Sequence, residues 1–179
     1  MDSYTPKPSD VLERFMRYAQ IDSQSDPHNE EETPSTACQH DMARQLAAEL
    51  AELGCAEVET TSNAYVTATL PASAGAEDLP ALGLIAHIDT APDAPAAGVK
   101  PRVVRYEGGA LVAGERDGHV IETTPEQLSA LERFVGQDIV VTDGTTLLGA
   151  DDKAGVAEIV ALVARLATHP ELPHPTLKI

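Results

Sequence analysis

The chain has 179 residues and sets 12 Lys and Arg against 29 Asp and Glu, a formal net charge of −17. With 42% hydrophobic and 23% charged residues, it has a globular composition and a length that suits one domain of roughly 100–200 residues. Phosphate neutralisation needs clustered Lys and Arg, so nucleic-acid binding is excluded. No apolar run approaches the ~20 residues of a membrane helix. The acidity repels anions and favours a multivalent cation as partner. Residues 1–8 are polar and carry no basic-then-apolar leader. Cys38 and Cys55 read as a reduced thiol pair, which predicts a cytoplasmic protein.

In chain order, Val11, Leu12, Phe15, Met16 and Ala19 mark one face of a first helix over 9–19, with Asp10 and Glu13 spaced as a capping box. A solvated acidic loop, with Glu30, Glu31 and Glu32, occupies 22–33. A second helix is expected over 36–53, capped by Thr36 and Gln39 and stopped by Gly54. Strands are predicted at 57–60 and 65–70, and the apolar run 81–86 reads as a buried central strand. The Pro- and Gly-rich stretch 91–118 is read as irregular, with a hairpin at Gly108-Gly109. Thr124, Pro125 and Gln127 open a helix running to about Phe134, followed by a strand over 139–142 and a turn at Asp143-Gly144. A long buried helix follows Asp151-Asp152-Lys153, ends at prolines 170, 173 and 175, and leads into a strand-like alternation over 176–179.

Two places carry chemistry. In His87-Ile88-Asp89, residues i and i+2 of an extended segment face the same way, so a carboxylate can orient an imidazole whose other nitrogen binds a metal. The position at the end of a predicted strand is where open α/β sheets place ligands. Adjacent Asp151 and Asp152 repel unless a cation or a helix N-terminus accepts them, and metal ligation and capping both remain open for the pair. A His with carboxylates suits Zn²⁺ acting on bound water. The other histidines, at 28, 40, 119, 169 and 174, read as ordinary. No Gly-x-Ser-x-Gly elbow and no Walker-type loop is present. A phosphoacceptor domain would separate its acidic pair from its Lys, which here are contiguous.

The string 85–90 (Ile-Ala-His-Ile-Asp-Thr) and the string 142–155, together with Ser23-Gln24-Ser25 and Pro34-Ser35-Thr36, resemble the M20 family of zinc metallopeptidases, most closely its tripeptide aminopeptidases. The resemblance implies an α/β fold, a mixed sheet flanked by helices, as the N-terminal part (1–179) of a zinc-peptidase catalytic domain without the family's lid. It implies a site of two Zn²⁺ ions in which His87 and Asp151 are metal ligands, Asp151 bridging, and Asp89 orients His87 as a catalytic group. It further implies a cis Asp151–Asp152 peptide and a small peptide as substrate. In the family the strand at 176–179 leads into a Glu-Glu pair that supplies the general base, then further metal ligands and the lid. The chain ends at Ile179, so on its own it is expected not to hydrolyse tripeptides. The alternatives are another M20 di-zinc hydrolase (dipeptidase, carboxypeptidase or deacylase) or a non-catalytic truncated product.

Overall fold

The computed structural model describes residues 9–179, so the polar opening 1–8 lies outside the described residues. Helix α1 (Asp10–Tyr18) starts one residue earlier than the capping-box reading, because the Ser9 hydroxyl accepts from Leu12 N at 3.1 Å. Asp10 is instead the first helical residue and pairs with Arg14 one turn on. Helix α2 (Gln39–Glu52) begins three residues later than expected and has no side-chain cap. Thr36 is diverted from capping, since its hydroxyl donates to the Gln24 carbonyl at 2.6 Å. The stop at Gly54 is as expected: φ is +86° and Cys55 N returns to Leu50 O at 3.1 Å.

Four strands form the main sheet in the order β1 (Ala56–Thr60), β2 (Val66–Leu70), β8 (Leu177–Lys178), β3 (Leu82–Gly83). β2 runs antiparallel to both β1 and β8, while β3 runs parallel to β8. The last strand is thus internal to the sheet. Ile179 exchanges two backbone bonds with Ala68, at 2.9 and 3.0 Å, while Leu84 N reaches Lys178 O at 2.8 Å.

The run 81–86 is not a buried central strand. It contributes only β3, on the sheet edge, where Leu82 and Ile85 are exposed. Apolar sequence buries a strand only if neighbours cover it, and among the described residues β3 pairs on one side alone. Period-two alternation nevertheless persists: Leu84, Ala86 and Ile88 pack against the core.

Two small sheets complete the strands. β4 (Arg102–Tyr106) pairs with β7 (Gln137–Val141), setting Val103 against Val140 and Val104 against Ile139, and such β-branched cross-strand pairs fix the partnership. β5 (Leu111–Arg116) pairs with β6 (His119–Thr123). The hairpin therefore closes at Asp117-Gly118, where both residues have positive φ, and not at Gly108-Gly109. Gln127 does accept from Thr124 N at 2.8 Å, but only a 3-10 helix, Ser129–Phe134, follows. With Leu128, Phe134 and Val135 exposed and Leu131 alone buried, that segment falls short of the buried apolar face a short helix needs.

Helix α3 (Ala150–Thr168) packs along α1, and α2 covers β1 and β2. Phe15, Tyr18, Met42, Leu46, Leu50, Val156, Val160, Val163 and Leu177 form the core, each fully buried side chain contributing about 1.5–3 kcal/mol. Between α1 and α2 lies an ion cluster. Glu49 accepts from Arg14 Nε at 2.8 Å, Tyr18 OH at 2.6 Å and Arg17 at 3.2 Å. Burial and Glu49 together push the Tyr18 phenol far up, keeping it a donor.

Candidate metal centre

The site sits where the chain leaves the sheet edge. Beyond β3 the alternation of faces continues: Ala86 and Ile88 pack on the core, while His87 and Asp89 meet on the other side. His87 Nδ1 lies 3.0 Å from Asp89 Oδ1 and 3.1 Å from the Asp89 carbonyl, two acceptors for a proton on Nδ1, and Nε2 is directed outward. Nε2 is 3.0 Å from Oδ1 of Asp151, which is 64 residues further along the chain.

Of the two roles left open for the pair, capping falls to Asp152 alone. α3 is interrupted at its start, where both residues have non-helical φ and ψ and the peptide between them is cis. Asp152 turns inward and accepts from Gly155 N at 3.2 Å, capping the regular helix that begins at Lys153. A Cβ on residue 155 would collide with that carboxylate, so glycine belongs there. The Asp151 side chain is 96% exposed and meets only the imidazole edge. Gly149 supplies the left-handed turn before α3 (φ +71°), and a Cβ there would stand 2.9 Å from Thr90 Cγ2.

Electrostatics follow from this geometry. Partial burial alone would lower the His87 pKa, but hydrogen bonds to Asp151 and Asp89 and their charges outweigh it, and the net shift is upward. For Asp89, burial would raise the pKa, yet the bonds from Ser25 and His87 bring it below the ordinary carboxylate value.

Other neighbours were not apparent from local spacing. Ser25 Oγ donates to Asp89 Oδ2. The segment around it is bound beside 88–91: Ser23 Oγ to Ile88 O at 2.7 Å, Thr90 N to Ser23 O at 3.1 Å and Ser25 N to Thr90 O at 3.0 Å. Lys153, only 1% exposed, sends its ammonium to Ile21 O at 2.5 Å, and burial lowers its pKa to about 8. A groove of about 930 Å³ runs beside the site, with Leu46, Leu84, Ile88 and Val160 in its wall and His87 and Asp89 at one end. That volume falls in the range of small-ligand sites.

The donor set fits part of a metal centre. His87 Nε2 and Asp151 Oδ1 converge, with Asp89 against the other ring nitrogen. Among the described residues no three His, Cys, Asp or Glu side chains converge as a complete site. The remaining histidines stand apart where their contacts are resolved: His169 pairs with Glu171 at 2.9 Å and His174 with the Pro175 carbonyl at 2.9 Å. Cys38 and Cys55 are free thiols. No helix among the described residues is long and apolar enough to cross a membrane.

No protein-family model matches the chain. It is 47% identical over 170 residues to "Peptidase T" of an Exiguobacterium species, covering 94% of this chain and 40% of that protein. It is 45% identical over 165 residues to "Peptidase T" of Aliivibrio fischeri, covering 92% and 39%. The chain thus spans about two fifths of the length of the curated relatives it matches. Among solved structures, a Staphylococcus aureus tripeptidase superposes with a TM-score of 0.55 at 22% identity, over 94% of this chain and 34% of that one. The aminoacylhistidine dipeptidase of Vibrio alginolyticus gives 0.55 at 20% identity, over 96% and 27%. At those identities the two structures establish the shared α/β fold.

Proposed function

We propose that this chain belongs to the peptidase T family of metallopeptidases, and that residues 1–179 form the N-terminal part of its catalytic domain and carry two ligands of a zinc site that hydrolyses small peptides. The observation that carries the proposal is the convergence of His87 Nε2 and Asp151 Oδ1, 3.0 Å apart, with Nδ1 held by Asp89. His87 and Asp151 would hold zinc, two ions by the resemblance, and the metal would supply acidification of a water and polarisation of the scissile carbonyl.

This chain's residues supply the rest of what is proposed. His87 presents a neutral Nε2 lone pair, Asp89 keeps the proton on Nδ1, and Asp151 offers exposed carboxylate oxygens that can bridge. Asp152 holds the helix start that aims Asp151. The apolar groove beside His87 would take a substrate side chain. Release of the N-terminal residue of a tripeptide is the activity proposed from the relatives' name and the resemblance, with the cytoplasm as location, supported by the free thiols.

Two protein ligands hold a metal weakly, so the 179-residue chain by itself is expected to bind Zn²⁺ without turning over tripeptides. Calorimetric zinc titration of the chain, with tripeptide hydrolysis assayed in parallel, tests both statements. Binding that disappears in His87→Ala and Asp151→Asn supports the site, and binding unaffected by both variants removes it.

A further inference from the structure

The geometry points to Ser25 as a positioning residue for this centre, acting through Asp89 on the His87 ring. The inference rests on the metal-site reading above only for its consequence on zinc; the ring geometry is independent of it. A carboxylate that orients an imidazole with one oxygen can still rotate about its Cβ–Cγ bond unless the other oxygen is held. Here Oδ1 faces His87 Nδ1 at 3.0 Å, and Oδ2 accepts from the Ser25 hydroxyl. Both oxygens are therefore occupied, from two directions.

Ser25 is itself fixed. Its N–H donates to the Thr90 carbonyl at 3.0 Å, and Gln24 forms a parallel bridge with Thr90. The Gln24 side chain adds bonds to the Ala91 and Ala94 carbonyls at 3.1 and 2.7 Å. The segment 23–25 thus acts as a short extra strand along the outgoing end of 88–91, and its backbone contacts do not depend on the Ser25 hydroxyl. The hydroxyl is left with one task, which is to lock the carboxylate that locks the ring. Partners one bond beyond a ligand change metal affinity by 10–100-fold when removed; Ser25 is one bond further out, and an effect near the lower end is expected.

The test compares wild type with Ser25→Ala, Ser25→Thr and Ser23→Ala. Ser23 clamps the same segment through Ile88 O at 2.7 Å without touching Asp89, and so controls for loosening of the loop. The first readout is the His87 ring tautomer, from nitrogen-15 shifts of the metal-free chain at a pH where the ring is neutral, each variant being made in an Asp151→Asn background that removes the carboxylate competing for a proton on Nε2. Wild type and Ser25→Thr are expected to hold the proton on Nδ1, and Ser25→Ala to show a mixture. Ser23→Ala is expected to unfold more easily yet keep the wild-type tautomer.

The second readout is zinc affinity, expected to fall about 10-fold in Ser25→Ala and to recover in Ser25→Thr. An unchanged tautomer in folded Ser25→Ala overturns the inference, as does a mixture produced equally by Ser23→Ala. If the tautomer shifts as expected but wild type takes up no zinc, Ser25 stands as the positioning residue of the ring and the metal-site reading is what fails.

Discussion

Two carboxylates in this chain are held in opposite ways. Glu49, 9% exposed, receives Arg14, Arg17 and Tyr18 on its two oxygens between α1 and α2. Asp151, at the start of α3, is almost wholly in solvent and touches one imidazole edge. A buried carboxylate must have its acceptor capacity filled within the protein, whereas an exposed one aimed at a histidine nitrogen keeps lone pairs free for a cation. In a chain this acidic, counting carboxylates does not separate the two environments. What distinguishes them is how much of their bonding capacity the fold leaves unused.

The largest effect that would separate the clusters is at Glu49. Glu49→Ala leaves the Arg14 guanidinium buried without its main partner, and loss of one member of a buried pair costs about 3–5 kcal/mol. Urea unfolding is expected to show that loss, while zinc binding per folded molecule stays at the wild-type value. A loss below about 1 kcal/mol would mean that the cluster is solvated in solution and the contrast is overstated.

Next in size is the adjacent pair. Asp152→Ala removes the cap on Gly155 N and is expected to cost about 1 kcal/mol. Gly155→Ala made in that background is expected to recover a comparable amount. The three atoms nearest to a Cβ at 155 all belong to that carboxylate and go with it, and Ala is favoured over Gly within a helix by about 1 kcal/mol. Asp151→Asn, one residue away, is expected to change stability by less than about 0.5 kcal/mol while abolishing zinc binding in the same titration. Equal stability losses at 151 and 152 would show that both are caps.

These assignments mark how far the sequence could be read. The α1 and α3 patterns, the Gly54 stop and the same-side placement of His87 and Asp89 follow from local periodicity and hold in three dimensions. What failed locally depended on distant partners. Thr36 could not cap α2 because the Gln24 carbonyl took its hydroxyl. The run 81–86 is apolar enough for a central strand, but its burial depends on which strands flank it, and here β8 takes the inner position. Nothing in the local sequence marks Lys153 for burial; only the packing of α3 against the segment after α1 puts its ammonium on Ile21 O. The approach of His87 to Asp151 was anticipated only through the family resemblance, because no spacing rule joins residues 64 apart.

The smallest effect tests the electrostatics of the open cluster itself, in chelator so that no metal competes. His87 has a raised folded pKa, so its contribution to stability is fully present below its unfolded value of about 6.5 and is lost as pH rises through the folded value. Asp89 has a lowered one, so its contribution is present above about 3.8 and is lost as pH falls through the folded value. The two overlap between about pH 4 and 6.5, where the imidazolium sits between two carboxylates. The His87 and Asp89 side chains are 51% and 40% exposed, so solvent screening holds the combined effect well under about 1 kcal/mol. The Tm difference between wild type and His87→Gln, followed from pH 4 to 9, is expected to be greatest near pH 5–6 and to vanish in alkali, and to shrink in high salt. A difference that instead grew with pH would mean that His87 is held as a neutral packed ring, and the cluster would then resemble the closed one at Glu49.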